Sequence, residues 1–246
     1  MSDELHQAAA TGFARGAAEY ERGRPGYPDA AIDWLSERLE LREGKTVVDL
    51  AAGTGKLTRL LARTGARVIA VEPVAEMRAL IEPPGEVLDG TAELMPLADS
   101  CADAITVAQA FHWFDHRPAL AEMRRVLVLG GALAVVWNRF DDDDELNLAI
   151  RALIEPYRGD APHARDGVWE KALEDGVAFE LAEERKLDNP QHFEAGALGE
   201  RVSSISFISS LPHAERERVT DEVRDLAGGR PVTLGQATHV RIFRAG

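Results

Sequence analysis

The sequence predicts an α/β fold, in which a mostly parallel sheet carries helices on both faces. Between residues 46 and 137, short apolar segments alternate with segments of helical periodicity. The apolar segments are nearly continuous, which is typical of strands buried on both faces of a parallel sheet. Two later segments, residues 179–187 and 238–243, lack such a crossover between them and predict an antiparallel pair at one sheet edge.

The N-terminal region precedes this alternation and predicts helices. One helix is expected over residues 7–20. A second is expected over residues 29–41, because Pro28 favours a helix start and Ile32 and Leu35 share one face.

The alternating region contains the expected strands and helices of the parallel sheet. The strands are expected at residues 46–51, 67–72, 86–89, 103–109 and 131–137, and the helices at residues 56–63, 75–81 and 118–128. Gly65 ends the first of these helices, since glycine is common just past a helix C-terminus.

The chain after Asn138 is mainly helical. Its helices are expected at residues 146–157, 168–174, 195–208 and 213–226. The acidic run 141–145 comes just before the first of them, which indicates helix capping and complementation of the helix dipole. Metal binding is the alternative, but consecutive aspartates on one turn point in different directions and do not converge on one ion.

Composition and charge limit the classes of partner. The chain has 246 residues, 45% of them hydrophobic, and a net charge of −14, which argues against a nucleic-acid partner. The longest apolar stretch, residues 126–137, is too short to span a bilayer, and residues 1–10 lack the features of a signal peptide. The single cysteine, Cys101, fits a reducing compartment. We therefore expect a cytoplasmic protein without a membrane partner, and the oligomeric state stays open.

The strongest functional signal lies in residues 47–58. This stretch predicts a buried strand, a tight turn containing Gly53 and Gly55, and the start of a helix. Glu72 ends the next strand, roughly 20 residues after the turn, where an acid binds the ribose of a nucleoside cofactor. These are the parts of a cofactor-binding site.

Two common glycine motifs do not fit this turn. A dinucleotide-binding turn carries a third glycine, at the position where this chain has Thr58. A phosphate-binding loop built on Gly55 and Lys56 would need glycine and a hydroxyl residue at two positions that leucine occupies here. What remains is a turn whose backbone approaches a ligand, and Asp49 is expected to fix it through backbone hydrogen bonds.

The motif at residues 49–55 resembles the first motif of the class I S-adenosylmethionine (SAM) methyltransferases, of the type 11-like kind. Residues 89–97 are similar to the segment that borders the adenine in that family. Residues 109–115 resemble the small-molecule branch that includes trans-aconitate methyltransferase-like enzymes, as do Tyr20 and residues 24–25, 27–28 and 137–139.

The resemblance implies a Rossmann-like class I methyltransferase fold with a seven-stranded sheet, SAM as cofactor and a small-molecule substrate. It implies one domain with three parts. These are an N-terminal lid or arm over residues 1–30, a SAM-binding core over 31–140, and a helical insertion with the C-terminal part of the same sheet over 141–246.

The resemblance also implies which residues contact the cofactor. They are Tyr20, Arg24, Asp49, Ala51, Gly53, Gly55, Glu72, Pro73, Thr91, Ala92, Glu93 and Gln109. Two positions depart from the family pattern. Ala51 stands where the first motif usually has glycine, and Thr91 replaces an aspartate that commonly contacts the adenine, which leaves adenine recognition to the backbone at Ala92 and to Glu93.

Substrate contacts are expected beyond the fourth and fifth strands. His112 follows the fourth strand, as a wall of the substrate pocket or as a general base; the alternative is a structural histidine beside Trp113. Arg139 follows the fifth strand, where its guanidinium either clamps a carboxylate or pairs with the acidic run 141–144. His112, Trp113 and Arg139 are therefore the expected substrate residues, with His112 as the candidate for catalysis, and no metal site is expected.

The predicted function is SAM-dependent methyl transfer to a small molecule, with O-methylation of a carboxylate favoured. A carboxylate is already ionised near neutral pH, whereas a hydroxyl or amine would need a general base. A nicotinamide-dependent oxidoreductase on the same kind of fold is one alternative, although Thr58 counts against it. A non-catalytic SAM-binding module is the other.

Overall fold

The computed structural model describes residues 25–82, 85–159, 167–174 and 178–245. The helix expected over residues 7–20 lies outside these residues, as do Tyr20 and Arg24.

The described strands form two sheets. The strands are β1 (Thr46–Leu50), β2 (Arg67–Val71), β3 (Glu86–Leu88), β4 (Ala102–Ala108), β5 (Leu127–Phe140), β6 (Phe179–Asp188), β7 (Gln191–Phe193), β8 (Val232–Leu234) and β9 (Gln236–Ala245). Among the described residues, seven of them form one sheet in the order β3-β2-β1-β4-β5-β9-β6, and β7 pairs with β8. Neighbours from β3 to β5 are parallel, while β9 is antiparallel to both β5 and β6. The predicted parallel sheet with an antiparallel edge pair is confirmed.

The helices connect these strands and cover the large sheet. They are α1 (Asp29–Leu39), α2 (Lys56–Leu61), α3 (Ala75–Arg78), α4 (His116–Val126), α5 (Glu145–Ile154), α6 (Val168–Glu174), α7 (Ala197–Ser203), α8 (Ser206–Ser209) and α9 (His213–Leu226). Short 3-10 turns occur at Ala62–Thr64, Phe111–Trp113 and Glu155–Tyr157.

Apolar layers cover both faces of the large sheet, because successive side chains of a strand point to opposite faces. Val48 packs in one layer with Phe111 and Met123, whereas Val47 packs in the other layer with Leu35 of α1. Both valines are fully buried, as the near-continuous apolar pattern of β1 predicts.

The C-terminal half forms a third apolar cluster. Ile150 of α5, Val202 of α7 and Val219 of α9 pack together, and Leu234 brings the small sheet into the same cluster. The small sheet was not predicted, because β7 and β8 are only three residues long each. Strands this short leave no periodic pattern in the sequence.

The acidic run caps α5, as predicted. Asp144 precedes the helix, and its Oδ1 accepts a hydrogen bond from the backbone N–H of Asn147 at 2.9 Å. Its Oδ2 accepts from the backbone N–H of Gly235 at 2.9 Å, which ties the helix start to the beginning of β9.

Several element boundaries differ from the prediction by up to three residues, and two differences are larger. β5 begins at Leu127 rather than at residue 131, because the pairing of β4 with β5 shifts register between Ala102 and Ala104, and this irregularity accommodates the glycine pair at 130–131. The helix expected over residues 195–208 is broken in two. The Ser204 hydroxyl donates to the carbonyl oxygen of Arg201 at 2.7 Å, where α7 ends.

Candidate active site

The glycine turn follows β1 and runs through three left-handed residues. Ala51, Gly53 and Gly55 have φ angles of 54°, 60° and 82°. A Cβ on Gly53 would meet no atom within 4 Å, so glycine serves the backbone conformation there rather than relieving crowding. Ala51 adopts the same region without being glycine, at a cost of about 1–2 kcal/mol. The chain therefore holds strained backbone at the position where the family usually has glycine.

Asp49, near the end of β1, stabilises the start of this turn. Its carboxylate is buried and accepts hydrogen bonds from the Thr58 hydroxyl at 2.6 Å and from the Thr106 hydroxyl at 3.0 Å. Burial raises the pKa of Asp49 to about 6, against the opposing effect of these hydrogen bonds, and the nearby Glu72 raises it further. Backbone hydrogen bonds to the turn were expected for Asp49, whereas its partners here are two side-chain hydroxyls and the backbone of Thr58. Thr58, which stands where a third glycine would be, thus provides one of the hydroxyls.

Glu72 lies next to the same turn. Its Oε2 accepts a hydrogen bond from the backbone N–H of Gly53 at 2.8 Å, and its Oε1 accepts from the backbone N–H of Val74 at 2.9 Å. Burial raises the pKa of Glu72, although these two N–H groups and Arg78 oppose the shift. Each oxygen has a second lone pair, so the carboxylate can still accept hydrogen bonds from ligand hydroxyls. Pro73, the next residue, is exposed.

The residues expected near the adenine form a tight turn after β3. Thr91 and Leu94 exchange backbone hydrogen bonds at 3.2 and 3.3 Å, and Ala92 between them is buried. Oε1 of Glu93 accepts the backbone N–H of Asp115 at 2.9 Å, which links this turn to the segment after β4.

Gln109 is a second strained residue at this edge of the sheet. It follows β4 with a φ of 59°, and its backbone N–H donates to the Val136 carbonyl of β5 at 3.0 Å. Left-handed backbone at a residue other than glycine is uncommon, and it clusters at functional sites.

A partly open cavity lies beside the glycine turn. Its lining includes four of the predicted cofactor residues, namely Asp49, Ala51, Gly53 and Gln109. It also includes residues that sequence reasoning did not single out as site residues, among them Asn138, Arg201 and Gln236. Arg201 and Gln236 are missed because each lies in an ordinary helix or strand pattern, and only the tertiary fold brings them to this edge.

The expected substrate residues lie along an aromatic wall. The His112 ring is 5.0 Å from the Trp113 ring and 5.2 Å from the Trp137 ring, centroid to centroid. Trp137 is 5.2 Å from Trp169, and the guanidinium carbon of Arg139 is 5.8 Å from the centre of the Trp169 ring. The structure thus brings His112 and Arg139 to opposite ends of one tryptophan pair.

Arg139 pairs with an acid that the sequence did not suggest. Its Nη2 lies 2.6 Å from Oε1 of Glu170 in α6. The alternative of an ion pair with the acidic run is therefore wrong. Asp141 and Asp142 of that run pair instead with Lys186 and Arg151.

The described ranges contain neither a cluster of metal-binding side chains nor a membrane-spanning helix. His, Cys, Asp and Glu side chains there form no group of three or more that could hold a metal ion. The helices of these same ranges include none long and apolar enough to cross a membrane.

Comparison with known proteins decides the family. Residues 48–135 match the family model of a methyltransferase domain. An uncharacterized methyltransferase of Mycobacterium bovis is 38% identical over 222 residues, which cover 89% of this chain and 86% of that protein. This chain belongs to the class I methyltransferases. The predicted family and Rossmann-like fold are confirmed.

Two further proteins are similar to this methyltransferase. A malonyl-[acyl-carrier protein] O-methyltransferase of Pectobacterium atrosepticum is 30% identical over 174 residues, which cover 62% of this chain and 68% of that protein. The solved structure of a putative type II methyltransferase from Anaeromyxobacter dehalogenans has a TM-score of 0.63 and 26% identity, covering 91% of this chain and 97% of that one.

Proposed function

We propose that this methyltransferase binds SAM at the glycine turn and transfers its methyl group to a carboxylate oxygen of a small molecule. The main support for a SAM site is the hydrogen bond from the Gly53 N–H to the buried Glu72 carboxylate. It joins the turn after β1 to the acid after β2, which is the arrangement that a ribose-bearing cofactor requires.

The residues of the turn fit the chemistry of this cofactor. Glu72 would accept the ribose hydroxyls through its remaining lone pairs. The cavity that runs from Gly53 to Gln109 would receive the amino-acid end. Asp49 and Glu72 are both buried acids, and a positively charged sulfonium favours their ionised forms. Tyr20, Arg24, Pro73 and the turn at 91–93 stay predicted cofactor contacts.

When bound, SAM would supply an activated methyl group to the acceptor's lone pair, with the electron pair of the broken carbon–sulfur bond remaining on the sulfur of S-adenosylhomocysteine. The protein's part is to align the acceptor and to exclude water, which contributes up to about 7–11 kcal/mol in well-oriented reactions. The rigid anchoring of the turn by Asp49 serves that alignment.

A carboxylate acceptor is supported by two considerations. An ionised carboxylate needs no general base, so His112 need not take part in proton transfer. The relative from Pectobacterium atrosepticum is named for O-methylation of a malonyl group. A hydroxyl acceptor would instead require His112 as a base.

The test of the cofactor uses isothermal titration calorimetry with SAM and with NADH. We expect heat of binding with SAM alone, and a Glu72→Gln variant should bind SAM at least tenfold more weakly because a hydrogen-bond acceptor is lost. The exposed Glu76→Gln on α3 is the matched control. Binding of NADH and not SAM would overturn the proposed cofactor.

The test of the acceptor uses SAM with a tritiated methyl group and a panel of small acids. Mild alkali hydrolyses methyl esters and releases tritiated methanol, whereas methyl ethers and methylamines survive. We expect volatile label after alkali. Label that stays on the product would show that the acceptor atom is not a carboxylate oxygen.

A further inference from the structure

The cavity ends at two buried polar side chains, from α7 and β9. Arg201 is 7% exposed and Gln236 is 3% exposed, and both line the cavity. The guanidinium carbon of Arg201 lies 5.3 Å from the centre of the Phe140 ring. Phe140, the last residue of β5, pairs in register with Gln236, the first residue of β9. The two polar side chains therefore flank one aromatic residue at the carboxyl end of β5.

Only one end of the Gln236 side-chain amide has a hydrogen-bond partner among the described residues. Its Nε2 donates to the Asn189 carbonyl at 3.3 Å, whereas its Oε1 is buried and accepts no hydrogen bond from the described residues. Buried amide oxygens in native proteins nearly always have a donor. A ligand with an N–H or O–H group would supply one here.

Asn138, beside them, has a different role. Its Oδ1 accepts from the Thr238 hydroxyl at 2.6 Å, and its Nδ2 donates to the Gly26 carbonyl at 3.0 Å. Both ends of this amide have protein partners, so Asn138 is part of the supporting wall.

We propose that Arg201 and Gln236 bind the methyl acceptor, and that this acceptor is a small acid bearing both a carboxylate and a hydroxyl or amino group. The guanidinium presents a planar set of donors that matches a carboxylate, and Gln236 Oε1 accepts from the neighbouring donor. The inference rests on the proposed methyl transfer and names the acceptor's chemical class.

Gln236 lies far from Glu72 along the sheet edge. Glu72 follows β2, and Gln236 begins β9, with β1, β4 and β5 between them. Four inter-strand steps span about 19 Å between the strand backbones. The two residues therefore lie on different sides of the glycine turn, and a comparison of ligands with and without the cofactor's carboxylate distinguishes which carboxylate Arg201 binds.

The ion pair with Arg201 also constrains which group is methylated. A carboxylate whose lone pairs are engaged by a guanidinium is a poor nucleophile. The methylated group is then a second one, and a carboxylate acceptor implies a dicarboxylic acid with a hydroxyl or amino substituent. L-malate, L-aspartate and L-tartrate are suitable probes of this class.

The experiment measures binding of these three acids, and of the amides that replace their carboxylates, to the protein loaded with S-adenosylhomocysteine. We expect at least one acid to bind more tightly than its amide. Arg201→Gln should weaken that acid at least tenfold, and Arg201→Lys should weaken it less, because lysine keeps the charge but loses the planar fork. The matched control is Arg224→Gln, which alters an exposed arginine on α9 that pairs with Asp221.

The variant Gln236→Glu covers the case in which Arg201→Gln does not fold. It places a carboxylate beside Arg201 and loses the hydrogen bond to the Asn189 carbonyl. It should abolish acid binding, and a cooperative thermal unfolding transition checks that the variant is folded. Wild-type protein that binds no acid more tightly than its amide would overturn the proposal. Unchanged acid binding in both variants would overturn it as well.

The carboxylate that binds Arg201 could belong to SAM or to the acceptor, and a comparison of SAM with decarboxylated SAM distinguishes the two. If Arg201→Gln weakens SAM but not decarboxylated SAM, the site holds the cofactor's carboxylate and the acceptor proposal is wrong. Failure of the wild type to bind SAM at all would instead refute the proposed function. The acid titrations without S-adenosylhomocysteine still test Arg201 in that case.

Discussion

Asp49→Asn should change how the stability of the fold depends on pH. In the unfolded chain this carboxyl has an ordinary pKa of 3.8, and burial raises it to about 6 in the folded protein. Between these values the folded protein keeps a proton that the unfolded chain has lost. The stabilisation from protonated Asp49 is therefore fully present below the unfolded pKa and is lost as the pH rises through 6.

The magnitude follows from the size of the shift. A shift from 3.8 to about 6 corresponds to about 3 kcal/mol in the free energy of unfolding, at 1.36 kcal/mol for each pKa unit. About 2 kcal/mol of this falls between pH 4 and pH 7. An asparagine has no charge to bury, so the free energy of unfolding of the variant lacks this contribution.

The assay is urea unfolding followed by tryptophan fluorescence at pH 4, 5, 6 and 7. The free energy of unfolding of the wild type, minus that of Asp49→Asn, should fall by about 2 kcal/mol across this range. Parallel pH curves for the two proteins would refute the reasoning, because they would mean that Asp49 titrates alike in both states.

Asp103→Asn is a control for which the change of stability with pH should have the opposite sign. Burial tends to raise the pKa of Asp103, but hydrogen bonds from Lys45 Nζ at 2.8 Å and from the backbone N–H of Thr46 at 2.9 Å outweigh it and lower the pKa. The stability that Asp103 contributes is present above the unfolded pKa and lost as the pH falls through the folded one. The two variants should therefore diverge from the wild type in opposite directions.

Three further predictions concern the site. Ala51→Gly should raise the free energy of unfolding, measured with urea, by about 0.5–1 kcal/mol. The reason is that the relief of left-handed strain exceeds the entropy that glycine adds to the unfolded chain. The control Ala52→Gly, at a residue without positive φ, should lower the free energy of unfolding. SAM affinity measured by calorimetry should fall as the pH drops below 6, because protonation of Asp49 and Glu72 removes charge that favours the sulfonium; a rise in affinity would contradict this. His112→Ala should keep SAM affinity and lower kcat less than tenfold with a carboxylate acceptor, whereas a loss of about 10²–10⁴-fold would identify a general base.

Much of the fold could be predicted because local pattern and tertiary structure agree in the first half. β1 and β2 are mostly apolar and bounded by clear turns, so their residues are assigned to within one position. The second half carries weaker signals. β6 is exposed along most of its length, and the three-residue strands β7 and β8 depend on pairing that no local sequence feature reports.

The residues of the site also divide into those that the sequence predicts and those that it does not. Asp49, Gly53 and Glu72 could be predicted because a fixed turn geometry requires those residue types at those spacings. Glu170, which pairs with Arg139, and Arg201 could not, because both come from helices far along the chain. Their placement follows from how α6 and α7 pack, and an amphipathic helix pattern does not distinguish an arginine that faces a cavity from one that faces water.

The place of β9 between β5 and β6 has a consequence for how the protein is made. Of the described strands, β9 is the last in the chain, yet it supplies the hydrogen-bond partners of both of its neighbours. During synthesis the edge of β5 and all of β6 must wait unpaired until residues 236–245 leave the ribosome. Unpaired strand edges are sites of aggregation, so a nascent chain that stalls before β9 would be a target for chaperones. Since Gln236 opens that strand, the acceptor end of the cavity is also the last part of the site to be completed.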